Sequence, residues 1–101
     1  MWGLTLEKVT ILSLQECKEI IEKILGKMGY KIKEVVVRNE FVSIKAIREF
    51  DNKYVQVEIS KFEETNILGI KVKKHRITIT GLDDEETTIF NELYMRTRLG
   101  G

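Results

Sequence analysis

Residues 30–62 constrain the fold of this chain more than any other stretch, because they predict a three-stranded antiparallel meander. Two pairs of turn-forming residues, Asn39-Glu40 and Asp51-Asn52, divide the stretch into three runs rich in apolar residues. Neighbouring side chains of a strand point to opposite faces, so each turn fixes which residues share a face. Both turns select the same apolar face, and this agreement predicts the meander.

The register of the meander follows from reading each turn as a two-residue loop. The second turn predicts the opposed pairs Phe50 with Lys53, Arg48 with Val55, Ala46 with Val57, Ile44 with Ile59, and Val42 with Lys61. The first turn extends the same face with the pairs Val37 with Val42 and Val35 with Ile44. On the other face, Glu34, Lys45 and Glu58 form a predicted charge ladder.

The second face of the meander is more apolar than a solvated sheet face needs to be. Its apolar members are Ile32, Val36, Phe41, Ile47, Tyr54 and Phe62. We expect these residues to mediate self-association, as a homodimer, if two helices cover only the first face. The alternative is that one helix covers the second face within the same chain.

One helix is predicted at about residues 13–28. Ser13 and Glu16 have the spacing of a capping box, in which each side chain satisfies a backbone amide of the first turn. Apolar residues then recur at intervals of three and four, as in a helix that packs on a sheet: Cys17, Ile20, Ile21, Ile24, Leu25 and Met28. Gly29 is typical of the residue that follows the end of a helix.

A second helix is predicted at about residues 84–98. Asp83 can cap its first turn, with Glu86 three residues further on. The acidic side chains of this turn are also stabilised by the positive end of the helix dipole. The buried stripe of the helix is predicted to be Ile89, Phe90, Leu93 and Tyr94.

The remaining segments complete an α+β fold. Leu4 to Leu12 is compatible with a short strand, and a polar loop is expected at residues 63–66. The apolar residues change phase between residues 70–72 and 77–79, which predicts a bulge or turn at Lys73-Lys74-His75. The result is a mainly antiparallel sheet of four to five strands with two helices, in a single domain of residues 1–101.

Composition favours no particular class of partner. Seventeen Lys and Arg against 16 Asp and Glu leave a formal net charge of +1. A single cysteine excludes an internal disulfide, and no apolar run is long enough for a signal or membrane segment. We therefore expect a cytoplasmic protein with no membrane partner. The lack of proline, with many Ile, Glu and Lys residues, favours a thermophilic source.

No catalytic residue, metal site or cofactor is predicted. Cys17 lies within the apolar stripe of the first helix, as expected of a buried hydrophobic residue. His75 is the only histidine, so no zinc-binding set exists around it, and we expect it in a surface loop. The acids at residues 83–86 are explained by their place at a helix start.

The most specific charge feature is a basic segment at residues 71–76. Its candidate nucleic-acid-binding residues are Lys71, Lys73, Lys74, His75 and Arg76. Clustered cations suit a phosphate backbone or another anionic partner. The alternative is a solvated hairpin whose lysines protect a sheet edge.

The order of elements in this chain is similar to that in the core of restriction-endonuclease-like nucleases: a helix, then Gly29-Tyr30, then strands that end in the sequence VQVEISK. That resemblance implies a second-strand aspartate and a third-strand Glu-x-Lys that hold magnesium. Here the second strand has Ser43 or Lys45 at its centre. Glu58 and Lys61 are three residues apart, which puts them on opposite faces of a strand.

The last four residues, Arg98-Leu99-Gly100-Gly101, resemble the tail of ubiquitin-like modifiers. In that family the terminal carboxylate is conjugated. The order of elements differs from that family, because here a capped helix precedes the meander. We expect the glycines to end the second helix instead.

These features predict a small non-catalytic binding or assembly module, with nucleic acid as the leading partner and another protein close behind. A metal-dependent nuclease related to the restriction endonucleases, or a purely homo-oligomeric protein, is the alternative.

Overall fold

The computed structural model describes residues 4–98 of the chain. The elements in order are β1 (Leu4–Thr10), α1 (Leu14–Lys27), β2 (Lys31–Arg38), β3 (Phe41–Arg48), β4 (Lys53–Ile67), β5 (Ile70–Leu82) and α2 (Asp84–Arg98). The strands form one five-stranded sheet in the order β1-β5-β4-β3-β2, and every neighbouring pair is antiparallel. The predicted α+β class is thereby confirmed. The expectation for Gly100-Gly101 lies outside the described residues.

Both helices begin at the predicted caps. In α1, Glu16 N donates to Ser13 Oγ at 3.1 Å and Ser13 N donates to Glu16 Oε1 at 3.0 Å. In α2, Glu86 N donates to Asp83 Oδ1 at 2.8 Å and Asp83 N donates to Glu86 Oε1 at 3.2 Å. Each reciprocal pair satisfies amides that have no partner inside the helix. Neither helix within residues 4–98 has the length and apolar character needed to cross a membrane.

Both helices pack on the same face of the sheet. Their buried residues join those of the strands in a single core: Cys17, Ile21, Ile24 and Leu25 from α1, Phe90 and Tyr94 from α2, and Val42, Ile44, Ala46, Val55, Val57, Ile59, Ile77 and Ile79 from the sheet. The stripe predicted for α2 is correct except at Ile89, which is 41% exposed. Within residues 4–98 no helix lies over the opposite face of the sheet, and we call it the open face.

The register across the second turn differs from the predicted one by two residues. Arg48 lies opposite Lys53, because the strands are joined by four residues, 49–52, and not by two. Only Asn52 of this loop has a positive φ, of 53°. A shift of two keeps the side chains of β3 and β4 on their predicted faces, so the apolar face was correct although its pairs across this turn were not. The pairs predicted across the first turn, Val37 with Val42 and Val35 with Ile44, are confirmed.

The charge ladder is shortened by the same shift. Glu34 lies opposite Lys45 as predicted, and the two form an ion pair of 3.6 Å. On β4 the residue opposite Lys45 is Gln56, while Glu58 lies opposite Ser43. The predicted pairing of Lys45 with Glu58 is therefore wrong.

Strands β4 and β5 continue beyond the rest of the sheet as a two-stranded ribbon, here called the arm (residues 62–74). β3 ends opposite Ser60, and β1 ends opposite His75. The predicted polar loop at residues 63–66 is part of β4, and the turn lies at Leu68-Gly69. The register shift falls between Lys61 and Glu63 of β4, and β5 runs without a break through residues 73–75.

Candidate functional site

The open face consists of four rows of side chains that cross the strands. Two polar rows occupy its middle: Glu7, Thr78, Glu58, Ser43 and Val36 in one, and Thr5, Thr80, Gln56, Lys45 and Glu34 in the other. The flanking rows contain the larger apolar groups, Val9 and Phe41 at one end and Tyr54 and Ile47 at the other. They also contain Arg76, Ser60 and Arg38 at the first end and Lys31 at the second. The open face is thus polar at its centre, and its large apolar groups lie toward its two ends.

Most of the predicted self-association residues lie on this open face. Tyr54 is 65% exposed and Phe62 is 45% exposed. Val36 and Phe41 are half-buried, and Ile47 is buried between its neighbours in the sheet. The Arg76 guanidinium lies 4.3 Å from the centre of the Phe62 ring, which adds a cation–π contact to this end of the face.

Ile32 was predicted on the same face, and this prediction is wrong. A register shift between Ile32 and Glu34 places Lys33 as an extra residue in β2. Ile32 consequently lies opposite Ala46 and packs against the core below the helices. The extra residue of a bulge moves the side chains that precede it to the opposite faces of the sheet. The face predicted by counting alternate residues back from the first turn is therefore wrong for Ile32.

The basic segment is divided between the two sides of β5. His75 is not in a surface loop but in the strand, where it is 5% exposed. Its Nδ1 is 2.8 Å from the Leu12 carbonyl oxygen, so Nδ1 carries the hydrogen and donates. Because side chains alternate, Arg76 projects from the open face, while His75 faces the helix side.

The remaining lysines follow the same alternation. Lys71 and Lys73 share the side of His75, and Lys74 shares the side of Arg76. The Arg76 Nε atom is 3.9 Å from Glu7 Oε1. The five candidate residues therefore do not form one basic surface, although the continuous strand keeps them adjacent in the chain.

Glu40 connects the β2–β3 turn to the base of the arm. Its carboxylate forms ion pairs of 3.3 Å with both Lys61 and Lys73. The Glu40 carbonyl also accepts a hydrogen bond of 3.3 Å from Lys61 N. Hydrogen bonds from Lys73 and Lys61 lower the pKa of the Glu40 carboxyl. One candidate cation, Lys73, is therefore already engaged with an acid of the same chain.

A cleft of about 590 Å³ lies beside the base of the arm. Its walls come from the junction of β1 and α1, from the β2–β3 turn and from the start of β5: Ile11, Ser13, Leu14, Glu16, Asn39, Glu40, Lys71, Val72, Lys73 and His75. This volume falls within the range of ligand-binding pockets. The lining combines apolar groups with charges of both signs.

A cluster of ionised side chains surrounds Glu86 at the other end of the sheet. Its carboxylate accepts hydrogen bonds from Tyr30 Oη at 2.5 Å and from Arg48 Nη1 at 2.8 Å. Lys53 Nζ contacts the other carboxylate oxygen and also pairs with Asp83 at 3.1 Å. Glu86 is nearly buried, so each of these donors compensates the loss of its hydration.

The pKa shifts in this cluster follow from that packing. Burial opposes ionisation of Glu86, but hydrogen bonds from Lys53 and Tyr30 outweigh it and lower the pKa of the carboxyl. Burial, and the hydrogen bond to Glu86, raise the pKa of the Tyr30 hydroxyl well above its usual range. The cluster thus holds an ionised acid among two cations and a neutral phenol, which stabilises the junction of α2 with the sheet.

The residues implied by the nuclease resemblance do not converge. Glu58 lies on the open face and Lys61 on the helix side, as their spacing predicts. Within residues 4–98, no three His, Cys, Asp or Glu side chains are grouped so that they could hold a metal ion.

No family model, no curated protein and no solved structure matches this chain. Sequence reasoning did not find the Glu86 cluster or the cleft, because their members come from segments far apart in the chain. The capping position of Glu86 was the one signal available for the cluster.

Proposed function

We propose that this protein is a non-catalytic binding and assembly module that self-associates through its open face. The observation that carries the proposal is the packing of both helices on one side of the sheet. Tyr54 and Phe62 consequently remain exposed on the other side. Aromatic residues of this kind are enriched in protein interfaces.

The size of the open face is suited to a dimer. Five strands spaced about 4.8 Å apart, each about eight residues long at about 3.3 Å per residue, span about 600 Å². The arm enlarges this area along the strand direction. A standard protein interface buries roughly 800 Å² on each partner. The face and the arm together therefore supply about the area that a stable pair requires.

The charges of the open face favour a second copy as the partner. The row that contains Glu7 and Glu58 lies between two rows that contain Arg76 and Lys45. A twofold rotation that offsets the two faces by one row brings the acids of one copy to the bases of the other. An anionic polymer such as nucleic acid would instead meet acids at the centre of this face.

Sedimentation velocity from micromolar to millimolar concentration tests this proposal. We expect self-association in which the dissociation constant of the open-face contact rises at least about tenfold in Tyr54→Glu and in Phe62→Glu, because a charge would be buried at that contact. Ile89→Glu is the matched control, since it places the same charge on an exposed apolar residue of α2. A protein that stays monomeric throughout the range, or an equal effect of Ile89→Glu, would overturn the proposal.

A nucleic acid or another anionic partner at the basic segment is the second candidate. It is favoured by Lys71 and Lys73, which line the cleft from the same side of β5. Such binding would be electrostatic, so its dependence on salt distinguishes it from contact through the open face.

A further inference from the structure

The tip of the arm carries apolar residues that are not packed against any other part of the described chain. Leu68 is 97% exposed, and Ile67 and Ile70 on either side of the turn are more than half exposed. The tip lies beyond the ends of β1 and β3, so no other strand of the described residues pairs with it. Packing in the monomer therefore does not account for the three aliphatic residues at this position.

The backbone of the tip is also unfavourable for its sequence. Leu68 and Gly69 form a two-residue turn with φ values of +52° and +81°. Turns with positive φ at both positions favour Asn, Asp or Gly, because a branched side chain at positive φ is strained. A leucine here costs stability and contributes no burial in return. Strain retained at an exposed position points to a function for that side chain.

The cleft at the base of the arm offers a complementary surface. Ile11 and Leu14 give it apolar walls, and Glu16 lies at its border. Among residues 4–98, the Glu16 carboxylate has no basic side chain within ion-pairing distance; it accepts only from Ser13 N. Lys71, three residues from the tip, forms no ion pair in the described part of the chain, although its charge interacts with that of Glu64. An apolar tip with a cation three residues away thus matches a cleft with apolar walls and an acid at its border.

We propose that the arm tip of one copy inserts into the cleft of a second copy, with Leu68 against Ile11 and Leu14. The centre of the cleft is about five residues from the tip along β5, which is roughly 15 Å. The tip therefore cannot bend back into its own cleft. Two arms that lie side by side in opposite directions place each tip at the cleft of the other copy. Such a contact is twofold symmetric.

This contact adds a second interface to the proposed self-association. It rests on that proposal only in taking a second copy of the chain as the partner. It uses a different surface from the open face. A protein with both contacts forms assemblies larger than a dimer, and removal of either contact leaves dimers held by the other. The two proposals can consequently fail separately.

Disulfide trapping tests the contact directly. A Leu68→Cys chain and an isotopically labelled Ile11→Cys chain are mixed and oxidised, and the products are resolved by mass. We expect the disulfide between residues 68 and 11 of different chains to dominate, because a disulfide requires Cα atoms within about 7 Å. The native Cys17 is fully buried and does not compete. Met95→Cys on α2 is the exposed control in place of Ile11→Cys.

The outcome is decided by the relative yields. Insertion of the tip is supported if the yield of the 68–11 disulfide is at least about fivefold above that of the 68–95 disulfide. If this ratio is retained when both chains also carry Tyr54→Glu, the contact is independent of the open face. Equal yields for the two pairs, or a predominance of the 68–68 disulfide, would overturn it. Leu68→Gly provides a second test: it should raise the melting temperature, because the turn favours glycine, yet weaken association about tenfold. Unchanged association in Leu68→Gly would also overturn the proposal.

Discussion

Tyr30 donates a hydrogen bond of 2.5 Å to Glu86, although the two residues are 56 positions apart in the chain. Tyr30 precedes β2, and Glu86 lies in the first turn of α2, so the bond joins two segments that are far apart in the chain. Arg48 and Lys53 approach the same carboxylate from β3 and β4. One nearly buried acid therefore fixes the last helix to the sheet.

Glu86→Gln should destabilise the protein by about 2–3 kcal/mol. The amide can still accept a hydrogen bond from Tyr30, but Arg48 and Lys53 lose the charge that compensates their partial burial. Urea denaturation followed by circular dichroism measures the change. Glu85→Gln alters an exposed acid of the same turn and should change stability by less than about 0.5 kcal/mol. Equal effects of the two substitutions would show that the cluster around Glu86 does not contribute.

The same carboxylate predicts a loss of stability in acid. The pKa of Glu86 is lowered in the folded protein, so its contribution is complete above the unfolded pKa of about 4.3 and is lost as the pH falls through the folded pKa. The free energy of unfolding should therefore decrease below about pH 4.5 more steeply in the wild type than in Glu86→Gln. Denaturation series between pH 3 and 7 compare the two proteins. Parallel curves would contradict this assignment.

Tyr30 predicts a second loss at alkaline pH. Burial and the bond to Glu86 raise the pKa of its hydroxyl above the usual value of about 10, so folding favours the protonated form. The stabilisation is complete below about pH 10 and is lost as the pH rises toward the folded pKa. Tyr30→Phe should remove the part of this loss that comes from Tyr30. An identical alkaline limb in Tyr30→Phe would locate the titrating group elsewhere.

Two glycines should respond to alanine in opposite directions. Gly81 has φ +114°, and a Cβ there would lie 2.5 Å from the Tyr54 carbonyl oxygen, an atom that cannot move without the strand. Gly81→Ala should therefore cost about 2 kcal/mol or more. Gly26 lies in α1 with nothing within 4 Å of an added Cβ. Gly26→Ala should stabilise the protein by about 0.5–1 kcal/mol, and thermal denaturation can rank all three proteins.

The meander could be predicted because its signals are local. The turn residues Asn39-Glu40 and Asp51-Asn52 and the alternation of apolar residues lie within about 30 positions, and both helix starts depend on residues three apart. The register across the second turn could not be predicted, because the bond between Arg48 and Asp51 that closes the longer loop depends on the folded geometry. A shift of two residues leaves the pattern of faces unchanged.

The arm could not be predicted, because neither of its sides packs against a helix. Its strands have water on both sides, so residues 63–66 have no alternation and resemble a polar loop. The Glu86 cluster was missed for a different reason. Within its own segment, each of its donors has a sequence position that is compatible with exposure to solvent. Only the tertiary fold brings these donors, Tyr30, Arg48 and Lys53, to one carboxylate.

The division of the basic segment predicts weak and weakly salt-dependent binding to nucleic acid. A phosphate backbone along one side of β5 can contact Lys71 and Lys73, or Lys74 and Arg76, but not all four. Two neutralised phosphates give a slope of about −2 for log affinity against log salt. Fluorescence anisotropy with a labelled DNA duplex between 50 and 200 mM salt measures it.

Single substitutions identify the side that binds. If the helix side binds, Lys71→Gln should reduce the slope by about 1, and Arg76→Gln on the open face should leave it unchanged. The reverse result would assign binding to the open face. A slope of about −5 or steeper in the wild type would mean that the cations of the basic segment converge on one phosphate backbone, and nucleic acid would then replace self-association as the favoured function.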